Sequence, residues 1–157
     1  MPTIRVQAEP FDTGQEIAAL TAGRTDIGGI GCFIGTVRAV QTSPALIAMT
    51  LEHYPAMTEK AMRRIAQTAE QRWRLLACTL VHRVGRLELG APIVLVLTAS
   101  AHREPALAAT AFLIDWLKTR APFWKQEHFA NDTSRWVEAR ADDDEAAARW
   151  TRDPLTP

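Results

Sequence analysis

The sequence predicts an α+β fold, and three observations point there. Strand-like and helix-like segments follow one another as β-α-β-β-α-β-β-α-β-β, without the strict alternation of a doubly wound parallel sheet. The chain has 157 residues, the size of one domain and enough to bury a core without a disulfide or a structural metal. Its 18 basic and 18 acidic side chains cancel, so no global field draws it to nucleic acid or an anionic membrane, and any anion site is local. The expected organisation is one domain over residues 1–150 and a disordered tail, Thr151 to Pro157.

Thr3 to Ala8 alternates Ile4, Val6 and Ala8 with polar residues, as a half-exposed strand does. Asp12 or Thr13 then caps a short helix through Leu20, with Gly23 placed to stop it. From Ile27 to Val40, apolar positions are interleaved with Gly28, Gly29, Gly31 and Gly35. Several glycines in one strand imply bends or the close approach of another backbone or a ligand. After the turn Gln41 to Pro44, a strand from Ala45 runs to Glu52, His53 and Tyr54, and Pro55 opens a helix to Trp73. Leu76 to Val84 and Ile93 to Ala99 read as buried strands, with a short extension at Arg86 between them. His82 reads as a hydrogen-bonded core residue rather than a ligand.

The central helix follows Ser100, His102 and Arg103 and closes at Lys118, with Leu107, Ala111, Ile114 and Leu117 as its buried face. Pro122 stops it and delivers Lys125. Phe123 to Phe129 and Arg135 to Ala139 pair around Asn131-Asp132, and Asp142 to Trp150 forms a last helical turn with Trp150 docked on the body.

Two cysteines without a CxxC and four scattered histidines imply neither a metal site nor a redox pair, and no cofactor is expected. The amino terminus lacks a signal-like segment and no apolar run approaches ~18 residues, so a soluble, cytoplasmic protein is expected.

The candidate site is Arg38, His102, Arg103, Lys118 and Lys125, with Arg120 and Arg140 further out. Guanidinium groups bind phosphate or carboxylate in bidentate fashion, so the set favours an anionic substrate. Acid-base work by a lysine needs a lowered pKa: at the usual ~10.4 about 0.04% is neutral at pH 7, and at ~8 about 10%. The bland reading makes Lys118 and Arg120 partners of the helix dipole and leaves Lys125 and Arg38 as solvated strand charges. A rise of about 1.5 Å per residue separates Arg103 from Lys118 by roughly 20 Å, so both can serve one small substrate only if a second copy of the chain supplies one end.

The segments Gly31-Cys-Phe-Ile-Gly-Thr-Val-Arg38, Leu51-Glu-His-Tyr-Pro-Ala-Met-Thr-Glu-Lys60, His82-Arg-Val-Gly-Arg-Leu87, Ser100-Ala-His-Arg103, Ile114-Asp-Trp-Leu-Lys-Thr-Arg-Ala-Pro-Phe-Trp-Lys125 and Arg135-Trp-Val-Glu-Ala-Arg140 resemble the large, catalytic subunits of molybdopterin synthases, the MoaE family. The resemblance implies an α/β hammerhead-type fold with an additional antiparallel β subdomain. It implies a sulfurtransferase of molybdenum cofactor biosynthesis that builds the dithiolene of molybdopterin on cyclic pyranopterin monophosphate. The sulfur would come from the C-terminal Gly-Gly thiocarboxylate of a small ubiquitin-like carrier subunit, in a heterotetramer built on a homodimer of large subunits. By the same resemblance Lys118 and Lys125 are catalytic, and Arg38, His102, Arg103 and Arg140 bind the pterin and its phosphate. Ala56 and Leu107 depart from the family pattern at packing positions. The alternatives are a non-catalytic dimeric scaffold that docks a ubiquitin-like tail, and a phosphoester hydrolase using the same cations.

Overall fold

The computed structural model of the chain describes residues 1–137 and 141–152. Among the described residues four helices accompany two four-stranded sheets, and the α+β expectation holds. The first sheet has the order β1-β4-β6-β2, with β1 at Thr3–Gln7, β2 at Gly29–Thr36, β4 at Ala77–Arg83 and β6 at Pro92–Ser100. Its β1–β4 pair is parallel and its other pairs antiparallel. The second is wholly antiparallel, in the order β5-β3-β7-β8, from Gly85–Glu88, Leu46–His53, Phe123–Phe129 and Ser134–Trp136. This is the additional β subdomain that the resemblance implies.

Helices cover both faces of the first sheet. α2 (Pro55–Trp73) and α3 (Arg103–Thr119) bury Met62, Ala66, Phe112, Leu113 and Leu117 against Leu80, Val94 and Val96. On the opposite face α1 (Thr13–Thr21), capped by the Asp12 carboxylate on the Gln15 N–H at 3.0 Å, packs Leu20 on Val81, Leu95 and Leu97. Each of the leucine, valine, methionine and phenylalanine side chains among them contributes about 1.5–3 kcal/mol through burial. A smaller cluster of Val37, Leu51 and Leu87 is formed where the second sheet meets the segment after β2. α4 (Ala141–Arg152) is longer than the expected turn. It docks as expected through Trp150, whose Nε1 donates to Asp115 Oδ2 at 2.7 Å and whose ring packs edge-on against Trp73 and Phe112.

Several sequence expectations move. The α3 face that packs inward is Ala106, Ala109, Thr110, Phe112, Leu113 and Leu117, whereas Leu107 is 60% exposed. The reason lies at Gly31, where a Cβ would meet Thr110 Oγ1 at 2.2 Å and Ala106 O at 2.7 Å. The bare strand lets the small face of α3 sit directly on β2, and Leu107 is turned outward. The close approach expected of the glycine-rich strand is therefore that of the helix backbone. β2 ends at Thr36, which leaves Arg38 beyond the strand, and β8 begins one residue before Arg135. β8 ends at Trp136, one residue short of Val137, and the rest of that expected strand, Glu138 and Ala139, lies outside the described residues. Of the expected tail, Thr151 and Arg152 belong to the last helix and the remainder lies outside the described residues. Among the described residues no helix is long and apolar enough to cross a membrane.

Candidate active site

A helix stop brings Lys118 and Lys125 together. Lys118 lies in the last turn of α3, which closes with the Arg120 N–H on Trp116 O at 2.8 Å and the Thr119 hydroxyl on Asp115 O at 2.8 Å. Pro122 cannot extend the helix. The Phe123 N–H turns back to Ala121 O at 2.8 Å and the chain enters β7, where Lys125 pairs with Leu51 of β3. Both lysines line one small cleft of about 80 Å³, with Gly35, Thr36, His82 and Phe123 among its other walls. Lys118 is exposed and Lys125 half-buried; among the described residues Lys118 has no ion pair.

His82 is the cleft residue whose part sequence reasoning missed. It is 6% exposed, so the expected core placement is right, and its Nδ1 donates to Arg83 O at 2.8 Å. Its ring also stacks on Phe123, with centroids 3.8 Å apart and planes 16° from parallel. Burial pushes its pKa down to about 4; the Arg83 carbonyl opposes that, and the charges of Lys125, His53 and Lys118 add to it. The signal in the sequence was a histidine ending an apolar strand inside a quoted motif. The partner that turns it toward the lysines, Phe123, lies in a distant segment.

The other cations stand at the far end of α3. His102 is its N-cap residue, without a side-chain capping bond, and Arg103 its first residue; both are exposed. Their turn rests on bare backbone: the Gly28 N–H bonds Ser100 O at 2.9 Å, and a Cβ at Gly28 would lie 2.0 Å from Ala101 O. Fifteen residues of helix put Arg103 about 22 Å from Lys118. Arg38 follows Thr36, a wall of the lysine cleft, and is exposed. One chain therefore gathers Lys118 and Lys125 at one end of α3, with Arg38 two residues beyond the cleft wall Thr36, and holds His102 and Arg103 at the other end. Arg140 lies outside the described residues. A wider groove of about 470 Å³ runs between α2 and α3, lined by Met57, Lys60, Arg64 and Trp116, away from the lysine pair.

The model of the family described as MoaE protein matches residues 6–120. The chain belongs to the MoaE family. Relatives in the family include molybdopterin synthase catalytic subunits from Ralstonia nicotianae, 53% identical over 96% of this chain and 85% of the relative, and from Pseudomonas aeruginosa, 53% identical over 94% and 97%. A MoaE protein structure from Burkholderia ambifaria superposes with a TM-score of 0.81 at 49% identity, covering 96% of this chain and 99% of that one. A molybdopterin synthase structure from Staphylococcus aureus gives 0.80 at 28% identity, over 88% and 98%. In a complex of subunits 1 and 2 of molybdopterin-converting factor from Helicobacter pylori, a chain 19% identical shares the fold, with a TM-score of 0.70 over 88% and 90%. The MoaE fold thus carries the lysine cleft and the distant His102–Arg103 turn on one helix.

Proposed function

We propose that the chain is the catalytic subunit of a molybdopterin synthase, a sulfurtransferase acting on cyclic pyranopterin monophosphate in the cytoplasm. The observation that carries the reading is the pair Lys118 and Lys125 in one small cleft, two cations suited to an anionic tail. The sulfur donor is the C-terminal thiocarboxylate of a small ubiquitin-like carrier subunit. Its sulfur displaces an oxygen substituent from a side-chain carbon of the pterin, so that a C–S bond forms as a C–O bond breaks and the oxygen leaves with a proton. Water then cleaves the acyl–sulfur bond and the tail leaves as a carboxylate. Two such transfers complete the dithiolene. Lys118 and Lys125 position the tail and handle protons, and Arg38, His102, Arg103 and Arg140 hold the pterin and its phosphate. The residues concerned belong to one domain, 1–150, followed by the tail 151–157.

The functional unit is a homodimer of this subunit within a heterotetramer. Support comes from β2, an edge strand whose Ile30 and Ile34 are 38% and 40% exposed on the same face as exposed Cys32. Two copies meeting antiparallel at this edge set the Gly29 end of one beside the Thr36 end of the other. Eight strand residues cover about 24 Å, matching the ~22 Å between Arg103 and Lys118. The pterin site is then completed by His102 and Arg103 of the second copy.

The test mixes the purified chain with a small-subunit thiocarboxylate and cyclic pyranopterin monophosphate and follows dithiolene product by mass. Lys118→Ala is expected to lower turnover by ~10²- to 10⁴-fold with an unchanged unfolding midpoint. Tail binding without product from the wild type refutes the reading in favour of a scaffold, and equal product from both proteins removes Lys118 from the chemistry.

A further inference from the structure

The cleft contains one group that neither the lysine pair nor the phosphate cations account for, the buried imidazole of His82. A carbonyl oxygen only accepts, so the Nδ1···Arg83 O contact of 2.8 Å places the ring's proton on Nδ1. In the neutral ring Nε2 is then a bare lone pair. Hydrogen bonds to the described residues leave that atom unused, and it is not among the fully buried polar atoms without a partner. It stands in a cleft whose other polar side chains include two ammonium groups.

Register favours one of those two. Phe123 and Lys125 are two residues apart on β7, so their side chains leave the same face of the strand. The Phe123 ring lies flat on His82 at 3.8 Å, which puts the imidazole on the face that Lys125 occupies. We propose that His82 is a positioning residue for Lys125: its unprotonated Nε2 accepts a hydrogen bond from the Lys125 ammonium and fixes where that charge sits in the cleft. The kinetic consequence rests on the sulfur-transfer reading given above; the contact itself does not.

The ring is built to hold a charge rather than to take a proton. The groups facing it are Lys118 from α3, His53 from β3, Lys125 from β7 and the Arg83 carbonyl of its own strand. With its pKa pushed down to about 4 by burial first and these cations after it, the imidazole is neutral about a thousandfold over charged at pH 7. It therefore adds no third positive charge to the cleft. A lysine stem is flexible and its ammonium a point charge, so a fixed acceptor at its tip narrows the positions it takes.

Two variants and one spectrum test this. His82→Phe keeps a ring on Phe123 but has no acceptor, and His82→Gln returns an acceptor oxygen near the place of Nε2. In the synthase assay His82→Phe is expected to lose tenfold or more in kcat at an unchanged KM for the pterin, and His82→Gln to recover most of the loss although its midpoint is no higher. An unchanged kcat in His82→Phe, or losses in both variants that follow their unfolding midpoints, overturns the proposal. The second measurement is the ¹⁵N spectrum of histidine-labelled protein. The His82 Nε2 resonance is expected displaced from the free lone-pair position in the wild type and returned to it in Lys125→Met; a resonance at the free position in the wild type overturns the contact. If the wild type makes no product, the sulfur-transfer reading falls and the spectrum still decides whether His82 holds Lys125.

Discussion

At the scale of single residues, the neutral state of His82 costs the protein stability in acid. Its pKa falls from the ordinary ~6.5 of an unfolded chain to about 4 in the fold. Between those values the unfolded chain binds the proton and the folded chain does not, so stability present above pH ~6.5 is lost as pH falls toward 4. At about 1.4 kcal/mol per pH unit the total is about 3 kcal/mol. Urea unfolding at pH 7 and at pH 4.5 measures it, with His82→Phe as the control that lacks the titration. Equal acid sensitivity in the two proteins would mean that His82 does not carry the effect. The lysines were legible in the sequence because a helix stop at Pro122 joins them within one local segment. His82 was not, because its ring is turned into the cleft by Phe123, 41 positions away in the chain, through two different sheets.

At the scale of elements, the order of strands and helices was legible because binary patterning and turn residues act locally. The rotation of α3 about its axis was not. Ala106, Ala108, Ala109 and Ala111 surround the helix with small side chains, so hydrophobic spacing selects a face only weakly. What selects it is the contact with β2 and its neighbour β6, where Thr98 Oγ1 of β6, opposite Gly31, donates to Ala106 O at 2.7 Å and Thr110 Oγ1 donates to the same oxygen at 2.9 Å. Gly31 leaves room for that cluster. A methyl there meets a backbone oxygen at 2.7 Å, and the helix must move to admit it. Gly31→Ala is therefore expected to lower stability by about 1–3 kcal/mol. Because α3 carries Lys118 at one end and Arg103 at the other, activity should fall beyond what the loss of folded protein explains. Chemical denaturation beside turnover per folded molecule separates the two; a variant with wild-type stability would show that the contact yields at no cost.

At the scale of the whole molecule, the length of α3 is the ground for the proposed sharing of the site between two copies. A rigid helix with a strand packed along it cannot bring ends about 22 Å apart to one pterin. The sequence alone carries this step, since it needs only the residue count between Arg103 and Lys118; the surface proposed for the second copy is β2, an edge strand. The proposed sharing has a consequence that a self-contained site lacks. Lys118→Ala and Arg103→Ala are each expected to be nearly inactive alone, because every site in either homodimer lacks one group. In a mixed dimer one site lacks both and the other lacks neither. Random exchange makes half the dimers mixed, so mixing equal amounts of the two variants after subunit exchange should restore about a quarter of wild-type turnover. The measurement is product formed by the mixture against each variant alone, with size-exclusion chromatography to verify the dimer. No recovery after verified exchange would place the whole site within one chain, and β2 would then be an edge with some other covering. Recovery to about a quarter can arise only if the Lys118 end of one copy works with the Arg103 end of another.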